Sequence, residues 1–211
     1  FFGTKKLGQE PGRKRLKMRI TDVQTTPLLV KNKEPYHWAH GVMYGAEVIL
    51  VEVRTSDGVT GFGESIASPN AAGIEAFIKT AAGHLAGKSI FESRRLMRQC
   101  YHALFQAHGT CSAPRFGAQI LAGLEMAILD AAGKTAGCAV HELLGGKVRE
   151  TIDYFGFIQG DTAEDLAAAA VRMVSDGHRV IYGKIGRGEQ LDLEIIRRVR
   201  EVVGKSVRLR F

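Results

Sequence analysis

Cysteine is scarce in this 211-residue chain: Cys100, Cys111 and Cys138 are an odd set with no two spaced as metal ligands. That argues against a disulfide frame or a cysteine zinc site, and the expectation is three small core side chains in a reduced, cytoplasmic compartment. Long apolar runs are missing as well. With no stretch of about 18 consecutive apolar residues, no membrane span is expected. Gly61-Phe62-Gly63 lacks the third glycine and following helix of a dinucleotide fingerprint, and Gly183 to Gly188 lacks the Gly-Lys-Ser/Thr ending of a phosphate loop. Ser65 and Ser112 have no nucleophile elbow and no histidine partner. His102, His108, His141 and His178 lack metal-ligand spacing and read as surface or packing residues.

Charge of one sign is concentrated in one place. The formal charge is +7, but residues 1–17 hold six basic residues against Glu10, so residues 18–211 are nearly neutral. A basic surface for nucleic acid is therefore not expected on the folded part. The leading segment lacks a sustained period and reads as a disordered tail or leader, with Glu10-Pro11-Gly12 breaking any amphipathic targeting helix.

From Met18 to Val30 the pattern is extended, with Ile20 and Val23 as core contacts. Residues 31–45 read as a loop that holds the one tryptophan, Trp38, with Tyr36, His37 and His40. Such a loop either binds something or packs its aromatics locally. Ala46 to Arg54 is a β-branched strand, and Ser56-Asp57-Gly58-Val59 is a hairpin signal leading into Thr60 to Glu64. Asp57 and Glu64 read as turn and surface groups.

Helices follow. Residues 70–86 are alanine-rich; Ser89 with Glu92 reads as a capping box for a helix to about Ala107; Pro114 opens a longer one through Ile120, Leu121, Leu124, Ile128 and Leu129 to about Gly137. A short helical turn, Val140 to Leu144, stops at Gly145-Gly146, where a domain boundary is expected. Beyond it, Thr151 to Ile158 reads as a strand and Asp161 with Glu164 as the cap of a helix to about Ser175. Val180 to Lys184 and Val207 to Phe211 flank a helix opened by Gly188-Glu189. Strand and helix alternate with the spacing of parallel crossovers.

The chemistry centres on Val180-Ile181-Tyr182-Gly183-Lys184. Alternation across the pleat puts Val180, Tyr182 and Lys184 on one side. Functional groups in parallel βα units sit at carboxyl ends of strands, where Lys184 lies, although an exposed lysine at a strand end is the plain alternative. Tyr182 either lines a site or plugs the interior.

Four stretches in order, Gly61-Phe62-Gly63-Glu64-Ser65, Ala122 to Lys134, Leu143-Leu144-Gly145-Gly146 and Lys184-Ile185-Gly186, resemble the mandelate racemase and muconate lactonizing branch of the enolase superfamily. The resemblance covers Met18 to Phe211. It implies an α+β capping domain over 18–144, a three-stranded antiparallel meander plus helical bundle, followed over 145–211 by an incomplete (β/α) TIM-type barrel.

It also implies removal of the proton next to a small substrate's carboxylate, as in racemases, epimerases, cycloisomerases and acid-sugar dehydratases. Magnesium would stabilise the resulting dianion, with its acidic ligands lying beyond Phe211 rather than in this chain. Lys184 matches the family's base, and a base of this kind needs its pKa lowered by burial or a neighbouring cation. Tyr182 stands where the family commonly has a second lysine, so it supplies a hydrogen bond and no charge. Gln159, ending the first barrel strand, and Tyr36, His37 and Trp38 are the expected substrate contacts.

The residues from Gly145 onward are far fewer than the roughly 250 of a closed barrel. Arg208 and Arg210 are expected on the interior face of the last strand without acidic partners, a costly arrangement if buried. The other reading is a non-catalytic fragment or interaction module without a metal site. A homo-oligomer is a further expectation from the family.

Overall fold

The computed structural model describes residues 18–38, 41–106 and 114–211. Residues 1–17, His40, His108, Cys111 and Ser112 lie outside that set, as does the side chain of Trp38. The chain forms two compact units: one runs to Leu28 and resumes over Val48–Gly146, the other takes Leu29–Glu47 and Lys147–Phe211.

Strands β1 (Ile20–Trp38), β2 (Gly41–Thr55) and β3 (Thr60–Ile66) form a sheet in the order β1-β2-β3. The β2–β3 turn forms as read. Gly58 adopts φ +83, a conformation open to glycine, while Thr55 N–H donates to the Val59 carbonyl at 3.0 Å. Asp57 accepts from the Thr55 hydroxyl, which holds its carboxyl below the usual range, and Glu64 is exposed.

Residues 31–45 are not a loop. β1 continues to Trp38 and β2 begins at Gly41, so this segment supplies both arms of a β-ribbon. Lys31-Asn32-Lys33-Glu34-Pro35 has no apolar alternation, because a ribbon with both faces largely exposed has no core face to pattern. Pro27 and Pro35 are tolerated because β1 is an edge strand.

In the first unit the sheet is covered by α1 (Ala71–Gly83), α2 (Ser93–Phe105) and α3 (Pro114–Ala136), with α4 (Val140–Leu143) ending the unit. The core joins Ile20, Ile49, Val51 and Val53 to Ile74, Ile78, Leu96, Ile120, Leu124 and Ile128, with Val23 packed against it. α3 is long and apolar enough to cross a bilayer, but Ile120, Leu124, Ala127 and Ile128 are fully buried in this core. Cys100 is a core residue whose thiol is pushed up by burial; Cys138 is half-buried.

Ser89 and Glu92 do not cap a long helix. Ser89 accepts from Phe91 N–H and starts a 3-10 turn, Ile90–Glu92, after which α2 begins without a side-chain cap. The buried Ile90 anchors that turn and separates the cap from the helix.

The tightest seam lies between β3 and α3. A Cβ on Gly61 would overlap the Ala127 carbonyl and stand 2.5 Å from Ala131 N; one on Gly63 would overlap the Gly123 carbonyl. Backbone therefore packs on backbone. Gly123, Ala127 and Ala131 recur every four residues as the matching small stripe on α3. Buried Ser65 donates to the Ile120 carbonyl at 3.1 Å, and Phe62 N–H donates to Asp130 at 2.8 Å. Ser65 thus belongs to the strand and faces the helix.

The second unit carries the parallel sheet β4-β5-β6: β4 (Gly156–Ile158), β5 (Val180–Gly183) and β6 (Arg208–Arg210). α5 (Ala163–Ser175) and α6 (Glu189–Val203) cover one face, burying Leu166, Ala170, Ile195 and Val199 against Ile158 and Ile181. The first of these strands is shorter than the sequence suggests. Residues 151–155 are exposed and the β4–β5 ladder begins only at Gly156, opposite Ile181, so the apolar alternation of Ile152 and Tyr154 is not ladder-paired.

The α5 cap is also displaced by one residue. Thr162 accepts from Asp165 N–H while Asp165 accepts from Thr162 N–H, a reciprocal box in place of the expected Asp161 and Glu164. Arg208 and Arg210 are exposed, with Leu209 half-buried between them, so no buried charge needs a partner there.

Candidate active site

The second unit brings most of the expected site residues together. On β5, Ile181 and Gly183 face the helices and are buried, while Val180 and Tyr182 share the other, half-buried face. Lys184 follows directly and is half-buried as well. Gly183 is small for a local reason: a Cβ there would stand 2.8 Å from the Phe211 ring and 3.2 Å from Ile158.

The open face is aromatic. Tyr182 packs against Phe157 at 5.5 Å and edge-on against Phe155 at 5.1 Å, and Phe157 stacks on Tyr36 at 5.7 Å. The Lys184 ammonium lies 5.1 Å from the centre of the Tyr36 ring, within cation–π range, and is hydrogen-bonded to the Tyr36 side chain. The Tyr36 hydrogen bond is the main reason the Lys184 amine is held above the usual lysine range; desolvation, the next largest influence, opposes it, and smaller electrostatic contributions from Tyr36 and Tyr182 add to it. That direction is opposite to the lowering that a base working at neutral pH needs. Nothing cationic stands at position 182, and the nearest partners are phenols that favour the charged amine.

Gln159 follows β4 and is half-buried, and its Oε1 is buried with no hydrogen-bond partner among the described residues. A cavity of about 580 Å³ runs between Gln159, Tyr36 and the ribbon residues Asn32, Lys33, Glu34 and Met43. His37 points elsewhere: its Nδ1 lies 2.5 Å from the Asp161 carboxylate, with the ring only 20% exposed.

Two site-forming groups escaped the sequence reading. Arg187 donates to the Gly160 carbonyl at 2.8 Å and the Asp161 carbonyl at 3.2 Å, while Asp192 accepts from the Gly186 and Arg187 amides at 2.9 and 3.2 Å. Together they clamp the loop after β4 to the loop after β5, which fixes Gln159 and Lys184 on neighbouring strand ends. The available signal was an arginine between two glycines at a strand end, with an acid one turn into the next helix.

His102 and His141 are exposed, and His178 bonds the Tyr154 carbonyl at 2.9 Å, so none gathers with other ligands. Among the described residues no three His, Cys, Asp or Glu side chains converge. These residues therefore do not fit a divalent-ion cage.

What the arrangement can do is hold an anion and move a proton. Lys184 supplies a positive charge and an exchangeable proton, Tyr182 a phenolic hydroxyl, and Gln159 an unmet acceptor for an N–H or O–H.

Residues 20–145 match the family described as "Mandelate racemase / muconate lactonizing enzyme, N-terminal domain". The D-galactarolactone cycloisomerase of Agrobacterium fabrum is 30% identical over 199 residues, 91% of this chain and 50% of that protein. The dipeptide epimerase of Cytophaga hutchinsonii, solved with Mg and D-Ala-L-Val, superposes with a TM-score of 0.76 at 27% identity, covering 92% of this chain and 51% of its own. The muconate lactonizing enzyme of Pseudomonas fluorescens, solved with muconolactone, gives a TM-score of 0.78 at 27% identity over 92% of this chain and 52% of its own. The chain thus spans about half the length of the relatives it matches. With the family match covering more than half of the chain, the chain belongs to the mandelate racemase and muconate lactonizing family of the enolase superfamily.

Proposed function

We propose that the complete protein is an enzyme that moves the proton on the carbon next to the carboxylate of a small substrate. The outcome would be racemisation, epimerisation, cycloisomerisation or dehydration of an acid sugar, and Lys184 is the group at which that proton is exchanged. The observation that carries this reading is the placement of Lys184: half-buried at the end of β5, on the face the helices do not cover, with Tyr182 beside it.

The physical chemistry sets its working state. Because the amine is held above the usual lysine range, it is an ammonium at neutral pH. In that form it attracts the substrate carboxylate and returns a proton to the carbanion. As a base it must first lose its proton, so abstraction by Lys184 grows as pH rises toward the lysine range. Tyr182 and Gln159 orient the substrate, by donation from the phenol and acceptance at Oε1. Tyr36 holds the amine in place through its hydrogen bond, while His37, paired with Asp161, steadies the ribbon arm beside it.

Magnesium is the proposed cofactor of the complete enzyme, held by residues other than those described, and would stabilise the negative charge that develops on the substrate. A panel of D-Ala-L-Val, muconolactone and D-galactarolactone in deuterated buffer tests the reading. A substrate whose α-proton exchanges with the complete protein should lose that exchange by about 10²–10⁴-fold in Lys184→Ala. Undiminished exchange in that variant would remove Lys184 from the role.

A further inference from the structure

A second cavity, of about 860 Å³, opens on the first unit where the end of α1 meets α2, lined by His84, Lys88, Arg95, Arg98, Gln99 and His102 among others. No acidic residue lines it. Arg94 joins Arg95 and Arg98 along the adjoining hollow, where Glu92 is taken up by Arg95 at 2.6 Å.

The placement of these cations opposes α2 itself. Arg94 and Arg95 sit in the first turn, where the helix dipole disfavours positive charge, and that turn has no acid. Arg94 with Arg98, and Arg98 with His102, stand four apart, so like charges face each other whenever the histidine is protonated. Three helix cations elsewhere, Lys79, Lys134 and Arg198, are matched on their own helices by Glu75, Asp130 and Glu201. Among the described residues Arg94, Arg98 and Lys88 have no such partner. A merely solvated face would mix signs; this one is arranged for an anion.

We propose that this cleft binds a small polyanion carrying at least two phosphate or carboxylate groups. Its volume suits a ligand of metabolite size. The Arg98 guanidinium, with Arg95 one helical turn away and the Lys88 ammonium in the same lining, matches paired anionic groups rather than one charge. The site shares no residue with the Lys184 face, so it neither supports nor depends on the catalytic reading.

Calorimetry of the complete protein with inorganic pyrophosphate and, separately, citrate tests it. One-to-one saturable binding is expected for at least one of them, weakened about tenfold by Arg98→Gln, the loss of one charge-assisted hydrogen bond. Arg208→Gln, which removes an exposed cation of the other unit, should leave it unchanged, as should Lys184→Ala. Pyrophosphate alone assigns the site to phosphates, citrate alone to polycarboxylates, and both to the shared chemistry. No saturable binding of either, or equal weakening by Arg98→Gln and Arg208→Gln, overturns the proposal. Arg98 is exposed on a helix surface, so its substitution leaves the fold intact.

Discussion

The β3–α3 seam and the open face of β5 both carry residues by which the family is recognised, and they hold them for opposite reasons. At the seam, Gly61, Gly63 and Gly123 are fixed because backbone meets backbone and no Cβ fits. At β5, Tyr182 and Lys184 are spared from the core: the buried positions are their neighbours Ile181 and Gly183. A motif in the first place is a folding requirement; in the second it is a group left available for chemistry.

Substitution should separate the two regions. Gly63→Ala forces the Gly123 carbonyl away and should cost about 3 kcal/mol or more, the upper end of overpacking. Urea unfolding followed through the first unit would register it, and an unchanged midpoint would mean that strand and helix are not in close contact. Ser65→Ala keeps the seam's shape but removes a buried hydroxyl donor, and a loss of about 1 kcal/mol is expected in the same measurement.

Thr162→Ala, in the other unit, should cost about 1 kcal/mol through the α5 cap. It also carries a pH signature. Asp165 is held below the usual carboxylate range, chiefly by the Thr162 hydroxyl and amide. Its contribution to stability is therefore present at neutral pH and lost as pH falls through the depressed value. The gap between the thermal melts of wild type and Thr162→Ala should narrow in acid without closing, because the hydroxyl still accepts from the Asp165 amide, and a constant gap would contradict the hydroxyl–carboxylate bond.

How much of this was legible in the sequence depends on whether a residue's role is local. The α3 helix could be read because Ile120, Leu124 and Ile128 repeat on one face, and the β2–β3 turn because Gly58 sits where φ must be positive. The ribbon arms could not, because Lys31 to Pro35 face solvent and leave no periodic trace. The role of Gly61 and Gly63 was half visible: the stripe Gly123, Ala127, Ala131 at four-residue spacing was its complement on the helix.

The site divides in the same way. Position 184 at a strand end follows from alternation alone, and so does Tyr182 on the same side. The partner that sets the lysine's proton affinity, Tyr36, lies on a distant ribbon arm, and no local pattern announces that pairing. The upward direction of the Lys184 shift therefore could not be read from the strand alone. Arg187 and Asp192 were missed for a related reason, since a loop clamp made through backbone carbonyls and amides leaves no pattern in side-chain type.

The account rests on Lys184 standing on the uncovered strand face with its ammonium engaged by Tyr36. An NMR titration of the Lys184 amine, in wild type and in Tyr36→Phe, tests this most directly. The wild-type amine should titrate above the usual lysine range and fall back toward it when the Tyr36 hydroxyl is removed. An amine that titrates at or below the usual value, and does not move in Tyr36→Phe, would contradict the account.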